Sequence, residues 1–195
     1  MTKPKRVGLF FGSFNPIHTG HLIIAEYMAD MTDLKQIWLV VSPHNPFKTQ
    51  ASLAKDYDRL HMVQMAIDDN TRLKASNIEF SLPKPSYTID TMAYLHEKYP
   101  DVEFALIMGS DNLDTIHKWK NYEVLLSRYA IHVYKRQGSE TVSQPEGANV
   151  VIHDVPLLNI SSTYIRRQIA AGHSVRYLVP DKVYEYLDGS RLYKQ

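Results

Sequence analysis

Six short apolar runs separated by helix-length segments constrain the fold of this chain more than any other feature. The runs predict strands at Val7–Phe11, Gln36–Val41, Leu73–Phe80, Val102–Met108, Tyr129–Tyr134 and Val150–Asp154. The segments between them place apolar residues at helical spacing, as in Thr19–Met31. Strands that alternate with helices predict an α/β fold with a mostly parallel sheet and helices on both faces. Sheets of this kind bind ligands beyond the carboxyl ends of their strands.

Length, charge and cysteine content exclude several classes of protein. The 195 residues predict a single domain, 1–195, with room for a sizeable core. The net charge is +1, whereas nucleic-acid binders usually carry a strong basic excess, so we expect no nucleic-acid partner. The absence of cysteine excludes disulfides, thiolate catalysis and Cys-bound zinc. No apolar run is long enough for a membrane span or a signal peptide, so we expect a cytoplasmic protein, and a homo-oligomer stays open.

The segment between the first strand and the first helix has the composition of an anion site. Gly12 and Gly20 permit close approach of the backbone to a ligand, and Ser13 and Phe14 complete the turn between them. The free N–H groups at the start of the helix favour a phosphate there. His18 and His21 are three residues apart and can share one helical face. Two imidazoles there can donate hydrogen bonds to oxygens that gain charge during phosphoryl transfer.

The two histidines also permit a metal-ligand interpretation. The HExxH pattern requires a glutamate next to the first histidine and a spacing of four, and the sequence has neither. Phosphate binding is therefore the favoured reading, and no metal-binding residues are assigned. The turn is also not a P-loop, because it lacks the GxxxxGK[ST] pattern.

A second predicted anion site begins a helix far along the chain. Ser161, Ser162 and Thr163 lie in or beside the first turn of the predicted helix Ser161–Ala171. Arg166 follows Ser162 by four residues, so its guanidinium projects from the same side and can clamp phosphate oxygens. An ordinary helix cap explains one serine of this cluster but not the whole cluster.

Both segments resemble signatures of the nucleotidylyltransferase superfamily. F-G-S-F-N-P-I-H-T-G-H is similar to its HxGH motif, and Ser162, Thr163 and Arg166 match ISSTxIR. The first segment most resembles the bacterial nicotinate-nucleotide adenylyltransferases, although Asn15 stands where that family commonly has Asp. The resemblance implies a Rossmann-like fold and catalytic roles for His18, His21 and Arg166. It also implies that ATP is bound by Gly12, Ser13, Phe14, Gly20, Ser162 and Thr163.

Three middle segments resemble the same family and concern the acceptor. Pro46-Phe47-Lys48 is similar to PPHK, which implies that Lys48 meets the acceptor phosphate. Pro85-Ser86-Tyr87-Thr88 is similar to PSYTxxT, which implies that Tyr87 and Thr88 bind the acceptor, with Ser86 a candidate helix cap. The arrangement G-x-D…W implies stacking of Trp119 on a pyridinium ring and nucleotide binding by Gly109 and Asp111. Arg136 adds positive charge near the triphosphate.

The resemblance implies transfer of AMP from ATP to nicotinate mononucleotide, giving deamido-NAD and pyrophosphate. The expected partners are ATP, with Mg²⁺ carried by its phosphates, and nicotinate mononucleotide. Nicotinamide mononucleotide or phosphopantetheine as the acceptor stays open. A non-catalytic nucleotide-binding module on the same fold also stays open.

Overall fold

A six-stranded sheet, entirely parallel, forms the centre of the computed structural model. The structure describes residues 5–43, 53–136, 144–156 and 158–194. The strands are β1 Lys5–Gly12, β2 Gln36–Val41, β3 Leu73–Ser76, β4 Val102–Gly109, β5 Ile131–Tyr134 and β6 Val150–His153. The helices are α1 Thr19–Met31, α2 Asp56–Ala66, α3 Thr88–Lys98, α4 Ser110–Asp114, α5 Tyr122–Arg128, α6 Ser162–Ala170 and α7 Asp181–Gly189. The predicted α/β class is confirmed.

The order of the strands places a ligand crevice at one edge of the sheet. Across the sheet the order is β3-β2-β1-β4-β5-β6, so the chain winds outward from β1 and then returns to pair β4 with β1. The direction of winding reverses between these two strands, and open α/β sheets bind ligands beyond their carboxyl ends at such a reversal. Gly12 ends β1 and Gly109 ends β4, so both residues stand at this point.

Helices cover both faces of the sheet, as the sequence predicts. Phe10 and Leu39 point into one core, which α1, α2, α6 and α7 close. Their neighbours Leu9 and Val40 point into the other core, which contains residues of α3, α4 and α5. The alternation follows from the two-residue period of a strand. Complete burial of each such side chain stabilises the fold by roughly 1.5–3 kcal/mol.

The structure corrects three of the predicted elements. The strand predicted at 73–80 ends at Ser76, and the 3-10 helix Ile78–Ser81 follows it, because only the first part pairs with β2. The helix predicted to span 113–119 is divided into α4 and the 3-10 helix Ile116–Lys118. Ser86 does not cap α3, since Tyr87 occupies the cap position without a side-chain hydrogen bond.

Within the described ranges, no helix has the length and apolar character that crossing a bilayer requires.

Candidate active site

A cleft of about 1030 Å³ opens at the carboxyl ends of the strands. It gathers most of the residues that the sequence predicts for the site. They are Gly12, Ser13, His18, Gly20, His21, Tyr87, Thr88, Asp111, Trp119, Arg136, Ser162, Thr163 and Arg166. Phe14 and Gly109 lie behind this surface rather than on it. Lys48 lies outside the described residues.

The cleft has two regions. The histidine end consists of residues 12–21 after β1 and residues 161–166 at the start of α6. The tryptophan end consists of residues 86–88 at the start of α3 and residues 118–120 around Trp119. Both regions line the same cleft.

Two stacked imidazoles form the centre of the histidine end. His18 is the N-cap residue of α1, and its ring lies 3.7 Å from that of His21, measured between ring centroids. The backbone N–H of His18 donates to Nδ1 of His21 at 3.3 Å. Because Nδ1 accepts this bond, the neutral His21 ring carries its proton on Nε2. His21 lines the cleft, so this N–H can donate to a ligand oxygen when one is bound.

The charge on His18 is controlled by its surroundings. The residue is only 6% exposed, and burial is the main cause that lowers its pKa to about 4. The positive charge of Arg136 lowers the pKa further. His18 is therefore neutral at pH 7 in the free protein and donates one hydrogen bond without a formal charge. Bound phosphates would oppose this shift, because negative charge nearby favours the imidazolium.

The turn after β1 supports His21 from behind. A Cβ atom at Gly12 would lie 2.8 Å from the ring of Phe14, so no larger residue fits this position without a shift. Phe14 is 1% exposed and packs edge-on against His21 with ring centroids 5.0 Å apart. The side chain of Phe14 thus braces the imidazole and does not reach the cleft.

The start of α6 is bound directly to the histidine turn. Ser161 caps the helix by accepting from Tyr164 N–H at 3.2 Å, and the hydroxyl of Ser162 donates to the carbonyl of Pro16 at 2.9 Å. Since the Ser162 proton is engaged there, this hydroxyl can only accept from a ligand. Anion binding at this helix therefore falls to the backbone N–H groups, the Thr163 hydroxyl and Arg166.

The guanidinium of Arg166 joins the two motifs. It donates to the carbonyl of Asn15 at 2.9 Å and to Oγ1 of Thr163 at 3.3 Å. Two N–H···O bonds fix the plane of the guanidinium beside the cleft while leaving other donors for a phosphate. The next residue, Arg167, is exposed.

Arg59 is a residue of this region that the sequence analysis missed. Its side chain is completely buried in α2, and it donates to the carbonyls of Ser13 at 2.5 Å and Ser42 at 2.9 Å. It also donates to the carbonyl of Ala54 at 3.1 Å and to the carboxylate of Asp56 at 2.7 Å. One arginine thus joins the ends of β1 and β2 to the start of α2.

A charged pair, Asp111 and Arg136, also lines the cleft. Nε of Arg136 lies 3.2 Å from Oδ1 of Asp111, and the Arg136 N–H donates to Ser110 Oγ at 3.0 Å. A Cβ atom at Gly109 would lie 2.5 Å from Oδ1 of Asp111, so the glycine makes room for this pair. Asp111 and Arg136 belong to separate segments of the sequence, and the structure places them together.

The tryptophan end is more open. Tyr87, Thr88 and Trp119 are partly exposed, and all three line the cleft. The buried hydroxyl of Ser86 lines it too, and has no hydrogen-bond partner in the described part of the chain. The free N–H groups at the start of α3 are donors for an anionic group.

Three further charged residues at this end were not singled out from the sequence. Lys120 lies over the ring of Tyr87 at 5.0 Å and pairs with Asp90 at 2.8 Å, and Lys118 also lines the cleft. Glu79 is 2% exposed and accepts from Thr91 at 2.8 Å, and burial raises its pKa. The lysines on both sides of Trp119 were a sequence signal for positive charge at this end. Nothing in the sequence distinguishes Glu79 from an ordinary surface glutamate.

Comparisons with known proteins identify the family of this chain. A model of the cytidylyltransferase-like family matches residues 9–168. A protein of Flavobacterium johnsoniae named "probable nicotinate-nucleotide adenylyltransferase" is 51% identical over 192 residues, covering 97% of this chain and 100% of the relative. A Bacteroides fragilis protein of the same name is 45% identical over 185 residues, covering 95% and 92%.

The solved structures that resemble this one support the fold. Plasmodium falciparum nicotinic acid mononucleotide adenylyltransferase complexed with NaAD matches with a TM-score of 0.80 at 20% identity, covering 97% of each chain. A putative nicotinate-nucleotide adenylyltransferase from Vibrio parahaemolyticus matches with a TM-score of 0.72 at 20% identity, covering 95% of this chain and 99% of that one. The Rossmann-like nucleotidylyltransferase fold is therefore confirmed.

Proposed function

Because this chain belongs to the nicotinate-nucleotide adenylyltransferases of the cytidylyltransferase-like family, we propose that it transfers AMP from ATP to nicotinate mononucleotide. The products are deamido-NAD and pyrophosphate. We assign the reaction to one nucleotidylyltransferase domain that spans residues 1–195.

One observation supports the phosphate site above all others. Arg166 donates to the carbonyl of Asn15 at 2.9 Å although the two residues are 151 positions apart in the sequence. Two helix starts, two imidazoles and a guanidinium thereby converge on one cleft. Groups of this kind stabilise the charge of a triphosphate as it is divided.

The proposed reaction is a direct in-line displacement. An oxygen of the acceptor 5′-phosphate forms a bond to the α-phosphorus of ATP while the bond from that phosphorus to the bridging oxygen breaks. Pyrophosphate leaves with the electron pair of the broken bond. The attacking phosphate is already an anion, so no strong general base is needed and no covalent enzyme intermediate forms. Catalysis arises from alignment and from stabilisation of the developing charge.

The roles of the catalytic residues follow from their geometry. Nε2–H of His21 and an N–H of the His18 ring would donate to phosphate oxygens, and Arg166 would supply a fixed positive charge. Arg136 adds a second guanidinium that lines the cleft. Positive charge that is already in place needs no reorganisation during the reaction.

Magnesium fits the cleft as an ion carried by the nucleotide. No group of three or more metal-ligating side chains occurs within the described ranges, so phosphate oxygens and water would supply most ligands. When bound, the ion neutralises phosphate charge and orients the triphosphate. Asp111, an exposed carboxylate that lines the cleft, would be available to its water shell.

The tryptophan end is proposed to bind the nicotinate group. Its carboxylate would accept hydrogen bonds from N–H groups at the start of α3 and from the Thr88 hydroxyl. The pyridinium ring would stack on Trp119, whose face attracts a cation. Lys120 adds positive charge beside Tyr87, which favours the acid over the amide. Lys48 is proposed to meet the acceptor phosphate.

The test is pyrophosphate release from ATP and Mg²⁺ with three acceptors supplied separately: nicotinate mononucleotide, nicotinamide mononucleotide and phosphopantetheine. Strong preference for nicotinate mononucleotide is expected. Preference for another acceptor would be compatible with the proposed phosphate site but would contradict the roles proposed for Thr88 and Trp119. Absence of release with all three would contradict the proposed activity.

A further inference from the structure

The C-terminal segment after α7 reaches the histidine turn through one tyrosine. The hydroxyl of Tyr193 donates to Oδ1 of Asn15 at 2.5 Å, across 178 positions of sequence. The ring of Tyr193 packs against the core on the α1 side of the sheet. Burial is the main cause that raises its pKa, so the hydroxyl keeps its proton and remains a donor.

Asn15 is held in one orientation by its partners. Its side chain is 4% exposed, and Oδ1 accepts both from Tyr193 and from the Ala54 N–H at 3.1 Å. An amide oxygen has two lone pairs, and these two bonds account for both. The carbonyl of the same residue accepts from Arg166 at 2.9 Å. The side chain that Tyr193 holds therefore belongs to the residue that positions the phosphate-site arginine.

We propose that Tyr193 is a positioning residue, which acts through Asn15 to hold Arg166 in its place beside the cleft. This inference rests on the proposed function, in which Arg166 binds the ATP phosphates. Tyr193 is not among the described residues that line the cleft, so the proposed route to the phosphates runs through Asn15. Displacement of a binding group by a fraction of an ångström is enough to reduce the rate of an aligned reaction.

A purely structural role for the tyrosine is the alternative, and the chain provides a matched control. Tyr186 lies in α7, and its hydroxyl donates to Asp58 at 3.4 Å, not to the histidine turn. Tyr193→Phe and Tyr186→Phe each remove one partly buried hydroxyl from the same part of the molecule. A structural role predicts that Tyr193→Phe lowers the melting temperature but leaves kcat/KM for ATP unchanged in the folded protein, whereas a positioning role predicts that only Tyr193→Phe lowers kcat/KM for ATP.

The experiment compares kcat/KM for ATP, kcat/KM for nicotinate mononucleotide and the melting temperature of wild type and both variants. Tyr193→Phe is expected to lower kcat/KM for ATP by roughly 3- to 10-fold, the effect of one lost hydrogen bond. Tyr186→Phe is expected to leave that constant unchanged. Equal losses in the two variants, or no loss in either, would overturn the proposal.

A double-mutant cycle tests the route through Arg166. In an Arg166→Ala background, adding Tyr193→Phe is expected to change kcat/KM for ATP by less than about 2-fold, because the group that Tyr193 positions is already absent. The full loss in that background would show that Tyr193 acts elsewhere. Titration of ATP into each variant by calorimetry gives the same comparison without turnover. If wild-type protein has no activity with any acceptor but the titrations differ as expected, the proposed function fails and the positioning role stands.

Discussion

The two ends of the cleft differ in how firmly the protein holds them before any substrate arrives. At the histidine end, Asn15 and His18 are buried, and the buried Arg59 of α2 joins the ends of β1 and β2 to the start of α2. At the tryptophan end, the Lys120–Asp90 pair is 44% and 49% exposed. The contrast lies within one continuous cleft.

The difference corresponds to what each end has to do in the proposed reaction. Stabilising charge at a reacting phosphorus requires groups that are already oriented, since reorganisation during the reaction costs free energy. Recognising an acceptor needs only binding, and partly exposed side chains can adjust while a ligand enters. We therefore expect mutations at the histidine end to affect stability and turnover, and mutations at the tryptophan end to affect acceptor affinity.

The largest effect is expected from Arg59→Met. The variant removes a buried cation and leaves three carbonyls and the Asp56 carboxylate without this donor. The free energy of unfolding should fall by about 3–5 kcal/mol, measured by urea denaturation. Arg72→Met is the control, because Arg72 is 39% exposed and pairs with Glu26 and Asp30 at the surface. Equal losses in the free energy of unfolding for the two variants would show that Arg59 contributes no more to stability than an exposed arginine.

His21→Ala tests the histidine end in turnover. The variant removes a donor aimed at the phosphates, so kcat should fall roughly 100- to 1000-fold while ATP affinity changes much less. Steady-state kinetics and ATP titration separate the two quantities. His61→Ala, which alters an exposed histidine of α2, is the control and should retain full kcat. A kcat close to that of wild type for His21→Ala would contradict the catalytic role of His21.

The buried state of His18 predicts a dependence of stability on pH. The pKa of His18 is lowered to about 4 in the folded protein. The contribution of His18 to the free energy of unfolding is therefore fully present above the pKa of the unfolded state, and it is lost as the pH falls toward the folded pKa. Between pH 7 and pH 5, wild type should lose about 2 kcal/mol more free energy of unfolding than His18→Gln. Urea denaturation at both pH values measures this. Bound ATP should reduce this difference between wild type and His18→Gln. If ATP leaves the difference unchanged, His18 does not interact with the phosphates.

Trp119→Ala tests the tryptophan end. Loss of a cation–π contact should raise KM for nicotinate mononucleotide by roughly 3- to 30-fold, and KM for ATP should stay close to wild type. Trp119→Phe retains an aromatic face, so its KM for nicotinate mononucleotide should lie between those of wild type and Trp119→Ala. If the KM values for ATP and for nicotinate mononucleotide rise together, the tryptophan end does not bind the acceptor independently of ATP.

The smallest effect is expected from Lys120→Gln. An exposed ion pair contributes only about 0.2–1 kcal/mol, so the melting temperature should change little. The selectivity for nicotinate over nicotinamide mononucleotide should fall, because one positive charge beside Tyr87 is lost. Competition between the two acceptors at low and high salt measures the change. Unchanged selectivity would show that Lys120 only pairs with Asp90.

The fold and the histidine end could be predicted largely from sequence because their signals are local. The strand and helix periods predicted the sheet, and the glycines, hydroxyls and histidines marked the two helix starts. Arg59 was missed because an arginine in an amphipathic helix normally faces water. It is buried because three backbone carbonyls satisfy its donors, and two of these, from Ser13 and Ser42, belong to other elements that no local sequence pattern indicates.

The sequence by itself determined which chemical groups are available: two imidazoles, a hydroxyl-rich helix start and an arginine. Only the tertiary structure decided which of those groups face the ligand. Ser162 donates to Pro16, Phe14 supports His21 from behind, and Tyr193 reaches Asn15. The physical reason is that helix caps and strand periods depend on neighbouring residues. The partner of a buried polar group depends instead on packing between elements that are far apart in the chain.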